Sequence, residues 1–236
     1  MRKILIVLMG VLIIACGSEK QNNDNNGRNQ EQAKNGVKPK LPVLNVYNMG
    51  GVPDKEVDEL LVALQKVYPA TKYAGALALV DSAYIKNDPK GKNRYWWSKL
   101  LPHLKKTTDT KHGISLVIIN AEVCNWDAKK KVSHANFGMS NLGGHVSTVS
   151  YQRLKVNHLI NINDMLKVVI HELGHSVGGL VPNRKDDGGH CPNKNCLMKN
   201  ANNRFPYRGL NSFCPSCSKA MRDKGYNIDT LQLKKL

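Results

Sequence analysis

Apolar positions along this chain follow two rhythms, and each switch between them marks a new element. Residues 41–47 alternate apolar and polar side chains, which predicts a first strand. Behind Val52-Pro53-Asp54, the residues Val57, Leu60, Leu61, Leu64, Val67 and Tyr68 fall on one helical stripe, and Pro69 ends it. Residues 73–80 (YAGALALV) are a short apolar run and predict a second strand. Residues 85–93 read as a loop, with Asp88-Pro89-Lys90-Gly91 as its turn. A second helix is predicted over 94–105, interrupted or kinked at Pro102, with Trp96, Trp97, Leu100, Leu101 and Leu104 as core contacts. The strongest strand signal covers 114–123, and weaker ones lie near 135–139 and 146–151 with a Gly143-Gly144 turn between. Met165, Leu166, Val168, Val169 and Ile170 then build an apolar helix capped by Asn163 and stopped by Gly178-Gly179. Strands and helices in this alternation predict an α/β fold, a sheet packed against helices.

The last of these helices carries the chemistry. His171-Glu172-Leu173-Gly174-His175 is an HExxH motif. Residues four apart on a helix share a face, so His171 and His175 can aim imidazole nitrogens at one metal ion. Glu172 does not complete that pair and can instead take a proton from water at the metal's open position. An apolar helix is not where two surface histidines would fall by chance. More ligand chemistry follows, as His190-Cys191, Cys196-Leu197-Met198 and Cys214-Pro215-Ser216-Cys217. Cys191, Cys196, Cys214 and Cys217 form a Cx4C…CxxC pattern that suits a tetrahedral zinc site, or two disulfides in an oxidising compartment. Cys124 is left over as a buried free thiol. His103, His112, His134, His145 and His158 have no ligand spacing, and Glu122 and Asp127 stand alone; all read as surface or structural residues.

The run HELGHSVGG…HCPNKNCLM…CPSC resembles the archaemetzincins, zinc peptidases of the metzincin clan. Gly178 falls at the family's Gly, His190-Cys191 at its His-Cys pair, and Met198 at its Met. Residues 136–140 (NFGMS) and 149–154 (VSYQRL) are similar to its FGxA and SxxRL segments, and Arg94-Tyr95 with Leu100-Leu101 less closely to its RxQYxA…LL helix. One departure matters. The family's third His follows the Gly after two intervening residues, a position that is Val181 here, and the Gly-, Pro- and Asp-rich residues 179–189 (GLVPNRKDDGG) intervene before His190. That stretch reads as an inserted loop. The third ligand is then His190, favoured by the Cys191 behind it, or Asp186 or Asp187 in its place.

The resemblance implies a metzincin-like α/β fold: a twisted mixed sheet, an active-site zinc helix beneath it, and a small Cys-rich C-terminal zinc-bound segment. It implies two zinc ions: a catalytic one on His171, His175 and His190, and a structural one on Cys191, Cys196, Cys214 and Cys217. Met198 becomes the Met-turn residue under the histidines. An edge strand within 135–151 lines the cleft, where a peptide adds as a further strand. The implied reaction is peptide-bond hydrolysis with zinc-bound water and Glu172 as general base. Endopeptidase and aminopeptidase activity both remain open.

Composition adds a location. Arg2-Lys3 precedes an apolar stretch too short to span a bilayer, ending in Ile13-Ile14-Ala15-Cys16-Gly17. This resembles a bacterial lipobox whose Cys16 is acylated, with an ordinary signal peptide as the alternative. Residues 1–16 are the leader, and 17–40, rich in Asn and Gln, are a disordered polar tether. Residues 41–236 form one catalytic domain. The chain is expected to be an exported bacterial lipoprotein, a monomer anchored at the periplasmic face or cell surface, acting on a peptide or protein. The net charge of +17 raises nucleic acid as a partner, but the lysines are dispersed and no aromatic-basic module accompanies them. Two other readings stand beside the peptidase: a catalytically silent zinc-binding surface lipoprotein, and a basic surface module that engages anionic polymer.

Overall fold

Strand β5 (Gly113–Ile119, GISLVII) is buried along its whole length, and the fold is built outward from it. A computed structural model describes residues 42–81, 84–87, 93–127, 132–155, 159–176, 189–200, 207, 210 and 212–224. All of them lie in one compact unit, Leu41–Leu236. The expectations for Cys16, the leader, the tether, His158, Gly178, Val181, Asp186 and Asp187 fall outside the described residues. No helix among the described residues is long and apolar enough to cross a membrane.

The other elements follow in chain order: β1 (Val43–Met49), α1 (Asp54–Val67), β2 (Thr71–Leu77), β3 (Ile85–Asn87), β4 (Asn93–Trp96) and α2 (Trp97–Thr107). After β5 come β6 (Val123–Asp127), β7 (Val132–Asn136), β8 (Gly138–Ser140), β9 (Val146–Ser150), α3 (Tyr151–Leu154), α4 (Ile162–Ser176) and α5 (Pro215–Asp223). The main sheet has the order β2-β1-β5-β9-β8. Its first four strands are parallel and β8 is antiparallel on the edge, so the sheet is mixed. A second sheet, β3-β4-β6-β7, stands apart from it.

Both faces of the main sheet are covered, which explains the apolar run at residues 116–119 of β5. Ile114, Leu116 and Ile118 join α1 and α4 in one core. Val117 and Ile119 join Trp97, Leu100 and Leu104 of α2 in the other. Of the expected tryptophan-leucine group, Trp97, Leu100 and Leu104 are core and Leu101 packs against them, whereas Trp96 is half-buried and outside both cores.

Six local expectations are corrected. The loop read over 85–93 opens with strand β3, which pairs antiparallel with β4. Arg94–Trp96 is strand, not helix, because β4 pairs with both β3 and β6 and the buried Arg94 meets Glu122, Nε to Oε2, at 2.5 Å. Pro102 lies inside α2, which runs on to Thr107. The strand predicted over 114–123 is two, because Asn120 turns away to donate to the Gly50 and Gly51 carbonyls. Cys124 lies on the second of them, fully buried. Residues 135–139 are likewise divided at Phe137, with β7 in the small sheet and β8 in the large one. The cap of α4 is Asn161 rather than Asn163. Its Oδ1 accepts the amides of Asn163 and Asp164 at 2.9 and 3.2 Å, two of the four donors that a helix leaves unpaired there.

Candidate metal centre

Helix α4 packs against β8 and β9, and everything from Met165 to Ser176 is buried. Two histidines one turn apart on such a helix face the interior, not solvent. His171, Glu172 and His175 are only 3%, 7% and 8% exposed, so each needs a buried partner.

The partners are one another and the C-terminal segment. His175 Nε2 lies 3.0 Å from His171 Nε2 and 3.3 Å from His190 Nε2. His171 Nδ1 stands 2.8 Å from the Leu197 carbonyl. A carbonyl only accepts, so the imidazole proton sits on Nδ1 and the Nε2 lone pair points into the cluster. Two nitrogens bound tetrahedrally to zinc at 2.0–2.1 Å are about 3.3 Å apart, so the donor set fits a three-histidine zinc site. Gly189, with φ at +85°, swings the chain so that His190 arrives there. Among the described residues His190 therefore supplies the third nitrogen, despite the stretch that precedes it.

Electrostatics suit the same role. Burial holds His175 down at about 4, helped by the His190 charge. Burial, then His175, holds His171 well below the ordinary imidazole range. Both rings are neutral near pH 7, the form that binds metal. Burial pushes the Glu172 carboxyl up to about 8, against the pull of the Ser140 hydroxyl.

That last shift has a measurable sign. In the metal-free chain the folded state holds the Glu172 proton between 4.5 and about 8, while the unfolded state releases it. Glu172 therefore costs stability as pH rises through that window. Chelator-treated Glu172→Gln protein, which has nothing to titrate there, gains on wild type by up to about 1.4 kcal/mol per pH unit. Thermal melts across the window read this directly. A difference independent of pH means that Glu172 is not a buried titrating carboxyl.

The second cluster brings Cys191, Cys196, Cys214 and Cys217 together, with their sulfurs within 4.8 Å of one another. None forms a disulfide. Cys191 and Cys214 Sγ are 3.6 Å apart, close to the roughly 3.8 Å of two thiolates on one zinc and far from the roughly 2.05 Å of a disulfide. The Cys217 thiol, then the amides of Cys214 and Met198, pull Cys196 down to about 5. A thiol held that low presents a thiolate, the form that a metal takes. Helix α5 begins inside this cluster, with Pro215 in its first turn, where a missing N–H costs nothing. Met198 is fully buried beside it, its carbonyl accepting the Cys191 amide at 2.6 Å.

Three more residues stand at the first cluster: Gly138 and Ser140, within the NFGMS segment whose pattern gives neither a role, and Tyr207, which carries no signal readable in the chain. A Cβ on Gly138 would come within 2.4 Å of Glu172 Cγ and 2.6 Å of Oε1, so only glycine leaves room for this carboxylate. Ser140 reaches the other carboxylate oxygen, Oε2, at 2.6 Å. Buried Tyr207 lies 5.0 Å from the His171 ring, its hydroxyl pushed well up by burial and the Glu172 charge. The other described histidines stay outside both clusters: His103 packs on Tyr84, His112 pairs with Asp109, and His134 and His145 are exposed. Glu122 is structural, through Arg94.

No family model and no curated protein matches the sequence. Solved structures do. An archaemetzincin from Methanopyrus kandleri superposes with a TM-score of 0.56 at 19% identity, over 80% of this chain and 98% of that one. An archaemetzincin from Archaeoglobus fulgidus, complexed with malonate, gives 0.51 at 21%, over 75% and 99%. A zinc-dependent peptidase from Methanocorpusculum labreanum gives 0.51 at 17%, over 75% and 99%. Nearly the whole of each of these proteins finds a counterpart here, and the chain therefore has an archaemetzincin-like fold.

Proposed function

We propose that this protein is a zinc-dependent peptidase with one zinc ion at the histidines and a second at the cysteines. The observation that carries the reading is the convergence of three imidazole nitrogens beside a buried carboxylate at the edge of the sheet. A binding site alone has no use for that carboxylate. Zinc at His171, His175 and His190 would polarise the scissile carbonyl and make water a nucleophile near neutral pH. Glu172 takes the proton of the attacking water and passes it to the leaving amine. The peptide lies along β8, whose outer edge has no neighbour among the described strands, and adds to the sheet as a further strand. The structural neighbours support the reading, two as archaemetzincins and one as a zinc-dependent peptidase.

The test is a peptide library incubated with the zinc-loaded chain, with chelated protein and a Glu172→Gln variant as blanks. Cleavage by the loaded wild type alone is expected. Equal cleavage by all three, or by none, sinks the proposal.

Gly138→Ala probes the same geometry from outside the ligand set. The new methyl would displace a flexible side chain rather than backbone, so the fold survives and the Glu172 carboxylate moves. A displacement of about 1 Å at a reacting group costs roughly 100-fold in rate. That loss in kcat, with zinc content unchanged, is expected, and wild-type kcat would show that the carboxylate need not lie over Gly138.

A further inference from the structure

Two observations bear on how Glu172 is held, and neither concerns the metal. Its carboxylate is divided between two residues of β8. Oε1 lies over the bare Cα of Gly138, and Oε2 takes the Ser140 hydroxyl at 2.6 Å. Oε1 has no hydrogen-bond partner among the described residues, so it is the oxygen left to meet water.

Ser140 does not act alone. Its Oγ lies 3.0 Å from Ser147 Oγ, and Ser147 Oγ in turn makes a short contact with Ser176 Oγ. Ser147 and Ser176 are completely buried. Each hydroxyl has one hydrogen to give. Backbone carbonyls also lie in reach, Glu172 O at 2.8 Å from Ser140 Oγ and 3.1 Å from Ser147 Oγ, and Val146 O at 3.1 Å from Ser176 Oγ, but for Ser140 the carboxylate Oε2 is nearer, at 2.6 Å, and is the charged, stronger acceptor. The three hydrogens can therefore align as Ser176 to Ser147 to Ser140 to Glu172. Hydrogen bonds aligned in a chain polarise and strengthen one another in a buried site. The chain runs from the last residue of α4, across β9, to the edge strand β8, and back to the carboxylate on α4.

We propose that Ser140 is the positioning residue of the general base, and that Ser147 and Ser176 keep its hydrogen directed at Oε2. The assignment rests on the peptidase reading. Ser140 holds one oxygen of Glu172 so that the other faces the attacking water. It stands where the FGxA pattern of the resembling family has alanine, which makes the hydroxyl a feature of this chain. The competing role is structural: three serines that merely tie α4 to the sheet.

The experiment compares wild type, Ser140→Ala, Ser140→Thr, Glu172→Ala and the Ser140→Ala/Glu172→Ala double variant, all zinc-loaded. Three quantities are read: zinc content, kcat and KM on a cleaved peptide, and the affinity of a peptide hydroxamate, whose acidic group also contacts the base. Residues that hold a metal-site group in place typically change function by about 10–100-fold when removed. Ser140→Ala is expected to keep full zinc and lose kcat within that range, with KM within about two-fold. Ser140→Thr, which retains the hydroxyl on a strand that tolerates β-branching, restores most of it. Hydroxamate affinity should fall about 10-fold on Ser140→Ala when Glu172 is present, and hardly at all in the Glu172→Ala background. Wild-type kcat in Ser140→Ala, or the same loss of affinity in both backgrounds, overturns the assignment while the peptidase reading stands. A zinc-loaded wild type that neither cleaves peptides nor binds hydroxamate overturns the peptidase reading, and Ser140 falls with it.

Discussion

Zinc-loaded Glu172→Gln protein will cleave peptides about 10²–10⁴-fold more slowly than wild type, the range a positioned general base supplies. Glutamine matches glutamate in size, so it fills the space over Gly138 without the 2.4–2.6 Å overlaps that a larger neighbour would create. It can still accept from Ser140 through its amide oxygen. What it cannot do is take a proton. The loss therefore falls on kcat rather than KM, and zinc stays bound, because the converging nitrogens belong to His171, His175 and His190. Steady-state kinetics and metal analysis of the same preparation give the answer. A Gln variant within a few-fold of wild type would mean that another group moves the proton, or that the cleavage belongs to a contaminant.

Cys196→Ser is expected to have the largest effect on stability, and the effect should reach the histidines. Cys196 is the hub of its cluster, accepting the Cys214 amide at 3.3 Å and the Met198 amide at 3.4 Å. Two links lead from there to the other cluster. The Leu197 carbonyl next in the chain orients His171, and His190 directly precedes Cys191. A structural zinc site contributes about 10–16 kcal/mol of folding free energy, so crippling it costs several kcal/mol. In a domain of this size each kcal/mol is worth roughly 2–4 °C. A fall in Tm of about 10 °C or more is expected, with zinc dropping from two ions per chain to one or fewer. Cys124→Ser is the control: that thiol is equally buried but outside both clusters, so it should lose some stability and no zinc. A Cys196→Ser protein that keeps two zinc ions and its Tm would remove the metal from the cysteine cluster.

What could be read from the residues was whatever depends on near neighbours. His171 and His175 share a face because of helical spacing alone, and the apolar residues ahead of them place that face inside. The cysteine spacing is similarly local, since the Cx4C and CxxC pairs each close within one turn of chain. The apolar run at residues 116–119 of β5 announces a strand buried on both faces. Helix α1 shows its stripe, and its Pro69 stop matches the observed end at Val67.

Tertiary structure decided what joins distant residues. Arg94–Trp96 has a helix-like pattern, yet sheet pairing and the Glu122 carboxylate, 28 residues away, make it strand. Ser140 is 32 residues from Glu172 and Ser147 is 25 from it, so no periodicity links them. Gly138 looks like any turn glycine until the carboxylate is seen against its Cα. Between His190 and the substitutes Asp186 and Asp187 the chain offers chemistry but no distance, and the cysteine pattern serves zinc and disulfides alike. What gathers a ligand set is geometric: the nitrogens of His171, His175 and His190 converge because α4, β9 and the Cys191–Met198 turn pack into one core, while Asp186 and Asp187 lie outside the described residues.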